Sequence, residues 1–536
     1  MDSNVKLIQK LHDRNYKKLG LDMNPFVSIV SAILVLAFSF FTIARPNESA
    51  TFFDGVKNSI NTNFNWLFVL TINFVFLFAL YLAASRFGKI KLGGSKAKPE
   101  YSNFAWYSML FSSGIGIAVF FYGIAEPIYH MQNLPEALKG SNPVIDAFKV
   151  MYLHWGFAPW AVYSLSAIGL GYFAYNKGLP LSLRSLFYPI FKDKIFGFLG
   201  DLIDTLAVLA VLFGLATSLG LGAQQINSGL NYVFGIPMGF SVQVVLIACI
   251  TFIATLSVVS GISKGIRLLS EANFYITGAF LFLILLLGPT AYIFSTYFSS
   301  IGAYITEYFN LSLFTAVTKA DIDWQGGWTV FYWAWWVAWT PFVGTFIARI
   351  SKGRTIREIV VGTIFVSSLI IFMAMTILGA TGIYLNGINN NVIVEAVNTD
   401  ISSAMFAMIQ TLLHSKILVS ILSLFGMIAV ILFFVTSSDS GSLVVDNLTS
   451  GGKLDSPVSQ RIFWAIMEGV IAASVLALGG ARALTTLQSA VIITGLPFSI
   501  LMLIMCYSLF TELKKELKHH KKYELTKLKS KLDKIA

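Results

Sequence analysis

Twelve long stretches of this chain carry almost no charge. They lie at approximately 26–45, 66–84, 104–124, 148–175, 202–230, 239–262, 268–296, 328–349, 357–386, 416–438, 459–479 and 484–511. About 20 apolar residues in an α-helix span the hydrocarbon core of a bilayer. Lipid offers no partners to backbone N–H and C=O groups, so only helices and closed barrels can cross it, and these runs are too long for barrel strands. Only 12% of the 536 residues are charged and 56% are hydrophobic, against about a quarter charged in soluble domains. That shortfall excludes a water-soluble fold. The sequence predicts an all-α polytopic membrane protein with twelve transmembrane helices.

The basic residues test this span list. With the N-terminus inside, the inner segments hold 31 of the 38 Lys and Arg. The other seven are Arg45, Lys57, Lys139, Lys149, Lys319, Lys416 and Arg482. An excess of this size follows the positive-inside rule, and losing one span would scramble it. The expected organisation is a cytoplasmic segment 1–25, a twelve-helix domain 26–511 and a basic cytoplasmic tail 512–536. The polar first 25 residues and the full-length first run do not read as a secretory leader. The +11 formal charge is scattered between spans and tails, which argues against nucleic-acid binding. Cys249 and Cys506 both lie in apolar runs, so neither a disulfide framework nor a thiolate metal cluster is expected. No two of the six histidines stand at metal-ligand spacing, and no phosphate loop of the nucleotide-hydrolase type occurs. The chain therefore reads as no enzyme, and uphill work would draw on an ion gradient.

Spans three, four, five, eight and ten carry residues that a plain lipid-facing helix does not need. Span three contains Ser112-Ser113-Gly114-Ile115-Gly116-Ile117-Ala118, then Phe121-Tyr122-Gly123 and Glu126-Pro127. Glycine permits an unwound segment whose carbonyls face a cavity, a device by which secondary transporters build mid-membrane sites. Close packing through small residues explains the same spacing. Span eight places Trp333, Trp335, Trp336 and Trp339 within seven residues, ahead of Pro341 and Phe342. At 100° per residue, Tyr332, Trp335, Trp336 and Trp339 share one face, with Trp333 just beyond it. An interfacial belt needs only one or two such rings. On span four, Trp155, Trp160 and Tyr163 fall on one broad face, with Tyr163 between the two indoles. Two such walls would form an aromatic box. A quaternary ammonium lacks N–H donors, and ring faces can hold it at about 0.5–2 kcal/mol each.

Span ten ends Phe433-Phe434-Val435-Thr436-Ser437-Ser438-Asp439. Thr436 and Ser437 could supply oxygens to a sodium ion, or simply bond back to their own helix. Asp439 reads as a cap, a gate partner or a ligand at the cytoplasmic end. Span five offers Thr217 and Ser218 among packing glycines. The outer loop 297–327 contains an amphipathic stretch near Ile301–Phe314, which reads as a gate, a subunit contact or a helix resting on headgroups.

These segments resemble the betaine/choline/carnitine transporter family over about residues 20–511. The most specific part runs from Trp333-Ala334-Trp335-Trp336 through Trp339 and Pro341-Phe342-Val343-Gly344 to Arg354, followed by the glycine segment and the His154, Trp155, Trp160, Tyr163 spacing. The resemblance implies two inverted five-helix repeats, spans 3–7 and 8–12, preceded by two helices. It implies a substrate boxed by Trp155, Trp160, Tyr163 and Trp336, with Trp335 and Trp339 along the cytoplasmic path and Gly114, Gly116 and Ala118 facing it. Sodium-coupled members would place one ion at Thr436, Ser437 and the backbone of Ser112 and Ile115. A second would lie near Phe342 and Thr217 or Ser218. Choline-selective members carry an aspartate where this chain has Ala118, so a zwitterion fits better than choline, and the alanine methyl would narrow or shift the range from betaine itself. Sodium-independent carnitine exchangers carry a cationic side chain in span five, which this chain lacks between Ile203 and Val233. The expected activity is sodium-driven symport of glycine betaine or a related solute in the cell membrane. Choline, carnitine, proline, ectoine or a sulfonium analogue, and a transport-inactive osmosensor, stand as alternatives. No cofactor is expected beyond the coupling ion, and related carriers imply a homotrimer. The tail holds nine Lys, with Leu525, Leu528, Leu532 and Ile535 at helical spacing. It reads either as an anionic-lipid sensor or as a plain positive-inside tail.

Overall fold

The computed structural model describes residues 2–114, 116–260, 265–388, 391–453, 455–478 and 480–532. Those residues are overwhelmingly helical, and among them the only extended pairings are two isolated bridges, Tyr16 with Met23 and Lys91 with Thr355. A short α1 (Asp2–Asp13) precedes the apolar helices α2 (Pro25–Ala44) and α3 (Pro46–Ala84). Asn24 caps α2 by accepting from the Val27 N–H at 3.2 Å, with Pro25 pre-set for the first turn. With 39 residues, α3 is about 58 Å long at 1.5 Å per residue. It therefore begins far ahead of the second apolar run and extends past the bilayer.

Two glycines divide the next two spans. Helix α4 (Asn103–Gly114) stops short of α5 (Ile117–Asn133), and Gly116 between them is extended, with φ −116° and ψ −169°. Helix α6 (Pro143–Trp155) is separated from α7 (Phe157–Gly171) by Gly156. A Cβ on Gly156 would lie 2.3 Å from the Phe372 ring, so close packing demands glycine there. This break corrects the expectation of one continuous fourth helix. Then follow a short α8 (Tyr188–Phe191), α9 (Phe198–Phe234), α10 (Phe240–Ser260) and α11 (Gly265–Leu287).

Helix α12 (Thr290–Ser312) is bent 109° from α11 at Gly288-Pro289. It starts well before the amphipathic stretch expected near Ile301–Phe314 and takes in the end of the seventh run. Ile293, Tyr297, Tyr304, Tyr308 and Leu311 form its buried stripe, while Phe294, Phe298, Ile305 and Phe309 are exposed. The remaining elements are α13 (Lys319–Gly327), α14 (Thr329–Ile350), α15 (Ile356–Val360), α16 (Ser367–Ile388), α17 (Val392–Thr399), α18 (Ala404–Leu412), α19 (Lys416–Thr449), α20 (Val458–Leu476) and α21 (Gly480–Leu532). A π-helical segment, Val361–Val366, joins α15 to α16. The backbone of the basic tail is helical through Leu532, and Ile535 lies outside the described residues.

Among the described residues, nine helices are long and apolar enough to cross a membrane, or ten if the bent pair counts as one span. Exposed apolar side chains recur along their outer faces, such as Ile29, Ile33, Leu36, Phe40 and Ile43 on α2. That outward apolar band suits hydrocarbon rather than water. Inside, α7 packs on α14, α9 on α19, α10 on α20 and α5 on α16.

Candidate substrate site

Helix α14 puts its aromatic stripe at the centre of the molecule. Trp335 and Trp336 stack at 5.2 Å and 7°, Tyr332 stacks on Trp336 at 5.8 Å, and Trp339 meets Trp335 edge-on at 6.1 Å. Phe342 continues the stripe, 5.6 Å from Trp339. The facing wall comes from two helices, because of the break at Gly156. Trp155, the last residue of α6, meets Trp336 edge-on at 5.1 Å, and Tyr163 of α7 reaches the same indole at 6.5 Å. Trp160 joins through Tyr163, at 6.0 Å. The continuous-helix angles predicted for span four therefore do not apply, although the residues they singled out do converge.

All these rings are at most 5% exposed, except that Phe342 is 6% exposed. Trp333 is fully buried too, but among the described residues no ring contact joins it to the cluster and its indole N–H has no partner. Gly116 lies beside Trp339, whose ring would be 3.8 Å from an added Cβ, so the site edge has room there. Gly214 on α9 is tighter: a Cβ would come within 2.4 Å of the Trp339 ring. The carbonyl of Gly214 also accepts from Trp335 Nε1 at 3.3 Å. Ala118, the second residue of α5, is buried.

One residue that sequence reasoning left without a role organises the wall. Glu126 on α5 is fully buried. Its Oε2 accepts from Trp155 Nε1 at 2.8 Å and from the Tyr332 hydroxyl at 2.7 Å. Its Oε1 meets His154 Nδ1 at 2.6 Å and His130 Nε2 at 3.3 Å. His154 Nε2 contacts the Thr329 hydroxyl at 2.9 Å, and the His154 carbonyl accepts from Trp336 Nε1 at 2.8 Å. A buried carboxylate is costly unless fully hydrogen-bonded, and four donors meet this one. The carboxylate thereby fixes an indole from one half of the chain and a phenol from the other. The missed signal was the i, i+4 spacing of Glu126 and His130, together with His154 beside Trp155. No two histidines stand at metal-ligand spacing in the sequence, yet folding brings ligand atoms of Glu126, His130 and His154 within 4.8 Å of one another.

The oxygen-bearing residues stand on α4, α9 and α19. Ile115 is outside the described residues, and Ser112 sits on the last turn of α4, with only its backbone described. Gly114 ends that helix. A Cβ on Gly222 of α9 would meet Ile117 Cδ1 at 2.8 Å and Phe434 at 3.2 Å. Helices α5, α9 and α19 therefore converge just past the break. Thr436 Oγ1 donates to Leu432 O at 2.8 Å, and Thr217 Oγ1 to Phe213 O at 2.9 Å, the back-bonded arrangement. Ser437 is half-buried and Ser218 buried. Asp439 is no helix cap, since α19 runs on to Thr449. It is buried and accepts from Ser257 Oγ at 2.6 Å.

With this geometry in place, the comparisons with known proteins become specific. The sequence matches the betaine/carnitine/choline family of transporters over residues 26–518. The chain belongs to that family. This betaine/carnitine/choline family member is a multi-pass membrane transporter and not an enzyme. It is 45% identical over 516 residues to a glycine betaine/proline/choline/ectoine transporter of Vibrio parahaemolyticus, covering 94% of this chain and 89% of the relative. It is 42% identical over 510 residues to glycine betaine transporter 1 of the same organism, covering 94% and 96%. A glycine betaine transporter of Acinetobacter baylyi is 40% identical over 499 residues, covering 92% of this chain and 74% of the relative.

Proposed function

We propose that this transporter takes up glycine betaine or a closely related zwitterionic onium solute, driven by a sodium gradient, through alternating access. The observation that carries the reading is the meeting of Trp155, Tyr163 and Trp336 from three helices at ring distances of 5.1 and 6.5 Å. Each face offers a methylated nitrogen about 0.5–2 kcal/mol without an N–H bond. Ala118 leaves no fixed acid in the glycine segment, which favours a substrate that brings its own carboxylate. The name of the Vibrio relative at 45% identity also includes proline, choline and ectoine, and supports a wider substrate range as the second reading.

In the proposed architecture, both termini are cytoplasmic and twelve spans form two inverted repeats. Adding the broken pair α4–α5 and the tryptophan-rich α14 to the ten apolar spans gives twelve; indole and phenol groups lower the apolar character of α14. Exchanging spans 3–7 with spans 8–12 turns the α7–α14 pairing into α5–α16, and leaves α9–α19 and α10–α20 unchanged. That invariance of the packing supports the repeat. In this reading Thr436 and Ser437 face the unwound segment as sodium ligands, with Phe342 and Thr217 or Ser218 near a second ion. The lysine-rich tail would meet anionic lipid, and the chain would assemble as a trimer.

The test is uptake of labelled glycine betaine by proteoliposomes with and without an inward sodium gradient. Accumulation that requires sodium is expected. Equal uptake with potassium on both sides would remove the coupling, and binding without flux would make the protein a sensor.

A further inference from the structure

We propose that Glu126, His130 and His154 form a binding site for a divalent transition-metal ion of borderline softness, with Zn²⁺ as its representative. Their ligand atoms lie within 4.8 Å of one another, and all three side chains are buried. Tetrahedral zinc at 2.0–2.2 Å from nitrogen and oxygen ligands spaces them roughly 3.3 Å apart. His130 Nε2 already stands 3.3 Å from Glu126 Oε1. The 2.6 Å contact of His154 Nδ1 with the same oxygen has to open by about 0.7 Å to reach that spacing.

A second observation points to an additional ligand. His130 Nδ1 is buried and has no hydrogen-bond partner among the described residues. Its ring is packed between Trp328, at 4.8 Å, and Trp324, at 5.4 Å, so the imidazole is oriented although one of its nitrogens is unused. Buried polar atoms without partners are rare, and turning the ring edge for edge presents either nitrogen to the carboxylate.

The surrounding groups suit a metal. Trp155 and Tyr332 occupy Glu126 Oε2, which leaves Oε1 aimed at the histidines. Thr329 Oγ1 sits 2.9 Å from His154 Nε2 and can accept its N–H when Nδ1 is the ligand, the outer-shell arrangement typical of metal-bound histidine. On loading, each neutral imidazole shifts its proton to its other ring nitrogen, from His154 Nδ1 to Nε2, where Thr329 Oγ1 accepts it, and from His130 Nε2 to Nδ1, and the freed lone pairs bind the ion. Two imidazoles and one carboxylate leave a fourth position open. This donor set does not suit sodium or magnesium, which prefer all-oxygen ligation. The proposal is therefore independent of how transport is coupled.

Zinc competition against a chromophoric chelator, on the purified full-length protein, tests it. The wild type should bind one zinc tightly. His130→Ala and the bulkier His130→Gln should each weaken binding by at least about 100-fold, since losing a ligand exceeds the 10–100-fold cost of losing an outer-shell partner. Thr329→Val should cost about tenfold. The tail pair His519 and His520 is the competing source, and His519→Ala/His520→Ala should leave the tight zinc in place. Substituting Co²⁺ into the wild type gives a reading that needs no variant: intense visible ligand-field bands of a four-coordinate nitrogen–oxygen site are expected. No tight zinc in the wild type, wild-type affinity in both His130 variants, loss of the zinc with the tail histidines, or a weak six-coordinate cobalt spectrum would each overturn the proposal.

Discussion

The centre of the molecule and the end that carries its N-terminal segment solve the same problem in different ways. At the centre, one buried carboxylate, Glu126, is met by two imidazoles, an indole N–H and a phenol. At the N-terminal end, charges meet charges. Arg184, fully buried, reaches Asp204 at 2.6 Å and Asp201 at 3.1 Å, and Arg14 adds a 2.5 Å contact to Asp201. Asp446 is held by Arg461 at 3.2 Å, and Lys453 pairs with Asp22. The indole and the phenol satisfy that carboxylate without a lysine or arginine beside the rings. Ion pairs repay desolvation only with close geometry, and removing one partner leaves the other stranded. The centre thus relies on hydrogen bonds to one acid, and the N-terminal end on ion pairs.

Four measurements would break or sharpen that contrast. Arg184→Ala strands two buried aspartates and should cost about 3–5 kcal/mol, read as lower thermal stability in detergent. A shift no larger than that of a ring variant would mean that the clamp is not one. Glu126→Ala removes the acceptor for four donors and should cost at least about 3 kcal/mol, since each donor left unpaired costs about 1–3 kcal/mol and the vacated space lets some find water. Glu126→Gln should recover part of it, and equal losses in both would locate the effect elsewhere. Trp336→Ala should leave stability nearer the wild type but weaken substrate affinity at least tenfold, about 1.4 kcal/mol, measured by concentration-dependent uptake. Unchanged affinity would remove Trp336 from the box.

The smallest effect belongs to the N-terminal segment. Burial lowers the pKa of His12 below its ordinary 6.5, and this outweighs the opposing contact of its Nε2 with Gly451 O at 3.2 Å. A base with a depressed folded-state pKa contributes fully above 6.5 and loses that contribution as pH falls through the lower folded value. Hydrogen exchange in residues 2–24 should therefore quicken as pH drops below 6.5, after correction for intrinsic rates. His12→Gln should flatten the dependence, and a curve identical to the wild type would sink this assignment.

Much of the fold was legible because bilayer physics writes itself into local composition. Apolar length placed most helices to within a turn or two. The misplaced ones have tertiary causes. Helix α3 is extended by a polar stretch held from other parts of the chain, where Asn65 donates to Ala316 O and Gln325 Oε1 and Arg482 donates to Asn47 Oδ1, and the α11–α12 bend depends on Gly288-Pro289 and on a tyrosine stripe finding α6 and α16. Span four broke because Gly156 admits the Phe372 ring, a contact between residues more than 200 positions apart.

The site was legible only in its ring types. Trp155, Tyr163 and Trp336 could be named from spacing and resemblance, but their 5.1 and 6.5 Å contacts could not. Glu126 illustrates the limit: in the sequence it is one acid before a proline, and only folding brings His154 and Tyr332 to it.

By itself, the sequence determined that the chain must live in lipid as helices and that indoles gather on one of them. Both follow from forces that act within a span, namely backbone self-satisfaction and helical periodicity. Only the tertiary structure decided which rings face one another, where helices break, and which donors surround the buried acid. Those outcomes depend on contacts between distant segments, where packing and hydrogen-bond satisfaction are settled jointly and no local pattern records the result.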